Sequence, residues 1–194
     1  MVSGGSPSHP TCGRHGSIGL PKASWPPVGN SQKWQCETEQ LTVTVGRHAA
    51  RAILIGNLGR LVLIKRTKPG QMPYWTAPGG GVEETDASVE AALYRELAEE
   101  LGAEATNASQ VFLFSSPSDA GVAVQHFFVA RLVSLDASTR SGPEICDPSR
   151  GGYELDRVDL LGKRLALVDL KPTALKEFIL ANREALLAVS GTIA

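Results

Sequence analysis

The chain has 194 residues, with 19 Lys and Arg against 20 Asp and Glu, a formal net charge of −1 and a pI near 6.4. That balance excludes partners bound by phosphate neutralisation, so no nucleic-acid polymer is expected, while 42% hydrophobic residues suffice for one sizeable core. No apolar run approaches the roughly 20 residues of a membrane span, and Cys12, Cys36 and Cys146 are too far apart for a zinc motif or a disulfide framework, so a cytoplasmic protein with no membrane partner is expected.

Residues 1–38 are rich in Gly, Pro and Ser, lack the apolar core of a signal peptide, and read as a flexible extension ahead of a domain at 39–194. Residues 41–45 alternate and read as a strand. Residues 49–55 and 60–66 are two apolar runs split by Gly56-Asn57-Leu58-Gly59, which reads as a hairpin. Residues 74–77 form a short strand that leads into Pro78-Gly79-Gly80-Gly81, read as a tight turn. A helix capped by Asp86 or Ser88 runs to Leu101 and is ended by Gly102. Residues 110–115, 121–135 and 153–160 read as further strands. Residues 170–187 read as one helix with Pro172 in its first turn and Leu175, Phe178, Ile179, Ala181 and Leu186 on its apolar face. Strands, a helix, more strands and a terminal helix give an α+β domain: a mixed sheet with helices on its faces, an α/β/α sandwich.

The helix before Gly102 carries the chemistry. Its last turns read Arg95-Glu96-Leu97-Ala98-Glu99-Glu100-Leu101. Glu96, Glu99 and Glu100 stand at i, i+3 and i+4, hence on one helical face, where like charges repel. From position 83 to 100 there are seven acids and one base, a net −6 in a chain whose total is −1. Leu93, Leu97 and Leu101 form an apolar stripe that anchors the helix, with Val89 and Tyr94 beside it. Something positive is expected to face the carboxylates, and a hard divalent cation such as Mg²⁺ or Mn²⁺ prefers such oxygen ligands.

This stretch resembles the Nudix box, G-x5-E-x7-R-E-U-x-E-E-x-G-U with U a bulky aliphatic residue. Gly80 matches the first glycine, and Arg95, Glu96, Leu97, Glu99, Glu100 and Gly102 match the second half in register. Ala103 is smaller than the usual final residue. The first half departs from the pattern: Asp86 stands for the early glutamate, with one residue inserted before Arg95, and counting back from Arg95 instead reaches Ala87. The resemblance implies the Nudix sandwich and hydrolysis of a pyrophosphate bond in a nucleoside diphosphate linked to another moiety, with Mg²⁺ or Mn²⁺ as cofactor. It implies Glu96, Glu99 and Glu100 as metal ligands, joined by the Gly80 carbonyl. Glu99 or Glu100 is expected as general base, Arg95 as the residue that orients Glu99 or an earlier acid, and Glu154 as a further ligand from a later strand.

Substrate contacts are less sharply marked. Arg51, Lys65, Arg66 and Lys68 are candidates for phosphate, with Arg51 and Arg66 preferred. Trp75 is the chosen stacking partner among Tyr74, Trp75, Phe114 and Phe128, although core packing competes for each of them. His126, on an apolar strand, reads as a core histidine with its partners satisfied. The expected partner is a small nucleotide or nucleoside-diphosphate substrate, and a homodimer is admitted without being required. Two other readings stay open: a nucleotide-binding or sensing module of the same fold with weak or no catalysis, and a structural protein whose acidic helix meets a basic partner.

Overall fold

The computed structural model describes residues 43–141 and 151–191; the expected 1–38 extension and all three cysteines lie outside them. Among the described residues, eight strands form one mixed sheet with helices on both faces, the expected α/β/α arrangement. The strands are β1 (Val45–Gly56), β2 (Arg60–Thr67), β3 (Tyr74–Thr76), β4 (Gly79–Gly81), β5 (Ala103–Ser118), β6 (Gly121–Leu135), β7 (Gly152–Asp159) and β8 (Leu170–Lys171). The helices are α1 (Val89–Leu101), α2 (Arg164–Leu167), α3 (Thr173–Ala181) and α4 (Arg183–Ser190). The sheet order is β5-β6-β1-β2-β3-β8, with β4 added to β1 and β7 to β2. β1 runs parallel to β6 and β3 to β8, and the other pairs are antiparallel. No helix among the described residues is long and apolar enough to cross a membrane.

β1 shows why the sheet is buried on both sides. Successive side chains point to opposite faces, so a strand covered on both sides reads as a continuous apolar run. Ala50, Ala52 and Leu54 pack with Leu93, Leu97 and Leu101 of α1. Ile53 and Ile55 pack on the other face with Leu165 of α2, Leu175 and Ile179 of α3, and Leu186 of α4.

The hairpin expected between 49–55 and 60–66 is present, but β1 and β2 pair only from Leu54↔Val62 to Gly56↔Arg60. Beyond that they diverge: β2 pairs with β7 and β3, and β1 takes up β4. The strand expected at 110–115 extends back to Ala103. Its first half, Ala-Glu-Ala-Thr-Asn-Ala-Ser, has no apolar alternation, and pairing with β6 recruits it through three register shifts.

Three expectations are corrected. The Pro-Gly-Gly-Gly turn is itself a strand, Gly79–Gly81, laid antiparallel on Ala49–Arg51. The single helix expected at 170–187 is two, and Pro172 caps α3 from outside. At Asn182 the backbone leaves the helical region (φ −122°, ψ 22°), while the side-chain Nδ2 donates to the Phe178 carbonyl at 2.8 Å; asparagine competes for backbone partners in this way. The short α2 has no sequence signal of its own.

α1 matches its expected course. Ser88 caps it, accepting the Ala91 N–H at 3.0 Å, and Gly102 stops it in the left-handed region at φ 63°. Leu97 is 0% exposed. Leu97→Ala is expected to lower unfolding free energy by about 2–5 kcal/mol, read from a urea titration with an unchanged slope.

Candidate active site

The acidic segment is organised around one guanidinium. Arg95 Nε and Nη2 each donate to Asp86, at 2.9 Å to Oδ1 and 2.9 Å to Oδ2, a bidentate pair that is stronger than separate bonds. Nη2 also donates to the Gly81 carbonyl at 2.9 Å. Nη1 reaches Glu96 and Glu99, both at 3.2 Å, with Glu83 at 3.7 Å. Asp86, the acid read at the early position of the box, lies in the loop before Val89. Asp86 Oδ2 also accepts the Glu83 N–H at 2.8 Å. Arg95 first, then that N–H, holds the Asp86 carboxyl at about 2, well below the ordinary carboxylate range. The same bonds raise the Arg95 pKa.

The glycine strand lies between the helix and the sheet. Ala52 N–H donates to the Pro78 carbonyl at 2.8 Å and Val82 N–H to the His48 carbonyl at 3.0 Å. The antiparallel alternation then makes Ala50 and Gly80 the hydrogen-bonded pair between them. Gly80, expected to offer its carbonyl to a metal, therefore has that oxygen in the ladder, with its second lone pair left over. Gly80 must lack a side chain, because a Cβ there would stand 2.3 Å from Glu96 Oε2. Glu96 is 18% exposed in this niche and Glu99 44%. Glu100 accepts the Gly79 N–H at 2.8 Å.

From the sheet side, Arg51 supports the same strand. Its Nη1 donates to the Ala77 carbonyl at 3.0 Å and the Gly79 carbonyl at 2.9 Å, and its Nε donates to Gln125 Oε1 at 3.1 Å. Burial lowers the Arg51 pKa, against the opposing pull of Glu100 and Glu96. Thus Arg51, a candidate phosphate contact, is engaged with protein partners and holds the glycine strand. Trp75, the candidate for stacking, donates its indole N–H to Asp156 Oδ2 at 2.8 Å and packs on the core. Arg66 lies over the Tyr153 ring, 3.6 Å from its centroid, and donates to the Tyr153 hydroxyl. Glu154 pairs with Lys65 at 2.9 Å, yet lines one cleft with Glu100, Leu101, Ile64, Tyr153, Leu155 and Arg140.

The structure therefore brings Glu96, Glu99, Glu100, Gly80 and Arg95 together and sets Glu154 across a cleft from Glu100. Among the described residues, Arg95 faces Glu96 and Glu99, and Arg51 lies near Glu100 and Glu96 from the sheet side. Among the described residues, no three carboxylate, histidine or cysteine side chains converge as a formed metal centre. The donor chemistry still fits a hard divalent ion: these are oxygen ligands beside a niche that a side chain at position 80 would fill.

His126 has the satisfied bonding expected of it. Its Nε2 faces His48 Nδ1 at 3.1 Å and its Nδ1 faces Gln110 Oε1 at 3.1 Å; burial, then His48, lowers its pKa. The pairing of Asp86 with Arg95 joins two residues that the box reading had singled out. The Arg51 network, the Trp75–Asp156 bond and Arg140 had no local signal.

A family model described as a NUDIX domain matches residues 46–166. No curated protein matches the chain. Among solved structures, the solution structure of the E. coli ORF135 protein is similar at 24% identity, over 72% of this chain and 91% of that one, with a TM-score of 0.53. A NUDIX hydrolase from Nitrosomonas europaea is similar at 15% identity, over 72% and 88%, with a TM-score of 0.54. The NUDIX domain of Shewanella oneidensis NrtR, crystallised with ADP ribose, is similar at 18% identity, over 74% and 90%, with a TM-score of 0.54. At these identities the likeness is one of fold.

Two outcomes are expected. Because Asp86 ionises at lower pH in the folded chain than in the unfolded chain, its contribution to stability is complete above about pH 4 and is lost as pH falls toward 2. Asp86→Asn should flatten that acid limb of the stability curve, measured by urea midpoints between pH 6 and pH 3. Gly80→Ala should displace Glu96 and lower turnover about 10-fold or more with little change in melting temperature, since the clash falls on the end of a flexible side chain.

Proposed function

Since this chain belongs to the Nudix family of pyrophosphohydrolases, we propose that it hydrolyses the diphosphate bond of a nucleoside diphosphate linked to another group, in a reaction dependent on Mg²⁺ or Mn²⁺. The observation that carries this reading is the carboxylate face of α1, seated against the glycine strand with Glu96 beside Gly80 and Glu100 on the Gly79 N–H. Candidate substrates are nucleoside triphosphates, ADP-ribose, dinucleotide polyphosphates and sugar nucleotides. The near-neutral chain fits a small-molecule substrate and not a nucleic-acid polymer.

Glu96, Glu99 and Glu100 would hold the divalent ion, with Glu154 and the second lone pair of the Gly80 carbonyl as further donors. When bound, such an ion offsets the negative charge of the diphosphate and of the departing phosphate. The carboxylates alone would repel the substrate, so the reading requires a cation. Glu99 or Glu100 takes a proton from the attacking water. The water oxygen bonds to one phosphorus as the bridging P–O bond breaks, and the departing phosphate keeps the bridging oxygen. Arg95 acts through others: it sets Glu96 and Glu99 and ties the loop of Asp86 to the glycine strand. Arg51 holds the strand from beneath. Arg66, stacked on Tyr153, remains the candidate cation for substrate phosphate.

One observation favours a second reading, a nucleotide-binding or sensing module with weak or no catalysis. Arg95 already partners two of the three box glutamates.

A panel of these substrates with Mg²⁺ or Mn²⁺ separates the two. Turnover that a chelator abolishes is expected for at least one compound; nucleotide binding that survives the chelator, with no product, would establish the second reading. Glu96→Gln, Glu99→Gln and Glu100→Gln should each lower kcat by about 100-fold or more, with circular dichroism and melting temperature close to those of the parent. A large melting loss in all three would mark these residues as structural instead.

A further inference from the structure

Among the described residues, three arginines, Arg66, Arg140 and Arg183, have a buried Nε without a partner. Arg66 and Arg183 bond through another guanidinium nitrogen, and Arg140 differs in having no side-chain bond among the described residues. Its Nε is buried and has no hydrogen-bond partner, and the residue forms no ion pair among the described residues, although it lines the same cleft as Glu100 and Glu154. A buried donor left unmade is costly, so such a group is expected to meet an acceptor in the working state.

Its position is built by the helix that carries the carboxylates. Asp136 N–H donates to the Gly102 carbonyl at 2.9 Å, and Ser141 N–H donates to the Glu99 carbonyl at 3.0 Å. The chain on both sides of Arg140 is thus tied to the C-terminal end of α1, at Gly102 and Glu99 on either side of Glu100. The walls of the cleft are Ile64, Leu101, Leu155 and the ring of Tyr153. Among the described residues that line the cleft, Arg140 is the cation, and it forms no ion pair with Glu100 or Glu154. An anion in this cleft would meet the guanidinium on one side and a cation held by Glu100 on the other. The planar fork of arginine suits a phosphate in such a place.

We propose that this cleft is a subsite for a phosphate group beyond the cleaved diphosphate bond, with Arg140 as its anchor. The inference rests on the hydrolase reading and narrows it. Preferred substrates then carry a third phosphate, as nucleoside triphosphates and dinucleoside polyphosphates do, in preference to a diphosphate that ends in a neutral sugar. The competing role for Arg140 is structural, a cation at the C-terminal end of α1 where the helix dipole favours it; that role would shift stability without distinguishing substrates.

The test uses the full chain, with Arg140→Gln and Arg140→Lys. With Mg²⁺, the parent should show a higher kcat/KM for a nucleoside triphosphate than for a nucleoside diphosphate sugar. Arg140→Gln should raise KM for the triphosphate about 10-fold or more, change kcat less, and leave KM for the nucleotide sugar within about 2-fold. Arg140→Lys should restore part of the loss. In parallel, calorimetry with inorganic triphosphate and Mg²⁺ should show binding that weakens to the same degree in Arg140→Gln. Equal KM changes for both substrates, or inorganic triphosphate bound equally by parent and Arg140→Gln, overturns the subsite. Absence of turnover on every compound overturns the hydrolase reading alone, because calorimetry still decides whether Arg140 holds phosphate. If Arg140→Gln does not fold, the same two measurements on Arg140→Lys decide the matter, since the lysine keeps the charge and loses the fork.

Discussion

The acidic segment holds its shape because one guanidinium is shared. Seven acids within 18 residues would push apart, and Arg95 draws four of their carboxylates toward one point: Asp86 in a bidentate pair, Glu96 and Glu99 on its own helix, and Glu83 at longer range. The same side chain takes the Gly81 carbonyl. One residue therefore ties loop, helix and glycine strand into a unit. Its bonds to Asp86 are the strong ones, because they are charge-assisted on both sides and the Asp86 side chain is only 6% exposed. The bond to the half-exposed Glu99 is weaker and leaves that carboxylate open to other partners.

The sheet completes what Arg95 begins. β1 is paired with β6, β2 and β4, and its alternate residues supply both cores. Arg51 interrupts that apolar run where β4 lies alongside. There it turns a strand position that would otherwise add to the core into a support for two carbonyls and a tether to Gln125. The glycine strand is thus held by β1 at its edge, Arg51 from one face, and Arg95, Glu96 and Glu100 from the other. A strand without side chains is what permits this crowding; any Cβ at position 80 would enter the carboxylate of Glu96.

The charges around the cleft divide by how they are held. Glu154 and Lys65 are opposite each other in the β2–β7 ladder and form an exposed pair, a contact of small energetic weight. Asp156, two residues along, gathers Arg164 and the Trp75 indole; Arg164 first, then Trp75, lowers its carboxyl pKa. Arg66 is stacked on Tyr153. Arg66 and Arg140 both have a buried, unpartnered Nε, but Arg66 bonds Tyr153 through Nη1 while Arg140 has no side-chain bond among the described residues. The cleft therefore has one wall already satisfied by protein and one waiting for an acceptor.

Much of α1 is decided by residues within one turn of each other. The Ser88 cap, the Leu93-Leu97-Leu101 stripe, the carboxylates at i, i+3 and i+4, and the left-handed Gly102 follow from a 3.6-residue period and a change of backbone region, so they are legible in the sequence. The apolar runs flanking Gly56 to Gly59 likewise announce their strands. Contacts between residues far apart in the chain are not legible in this way. Arg51 meets Gln125 across 74 positions, Trp75 meets Asp156 across 81, and Lys65 meets Glu154 across 89. Each depends on sheet register, which no local pattern specifies, so a basic or aromatic residue read as a ligand contact became a structural one. The glycine run could be recognised as permissive but not as a strand, because its partner on β1 is about 30 residues away. Local periodicity settles where the carboxylates stand on their helix and sets Arg95 beside Glu96 and Glu99; only the folded sheet brings Arg51 near Glu96 and Glu100.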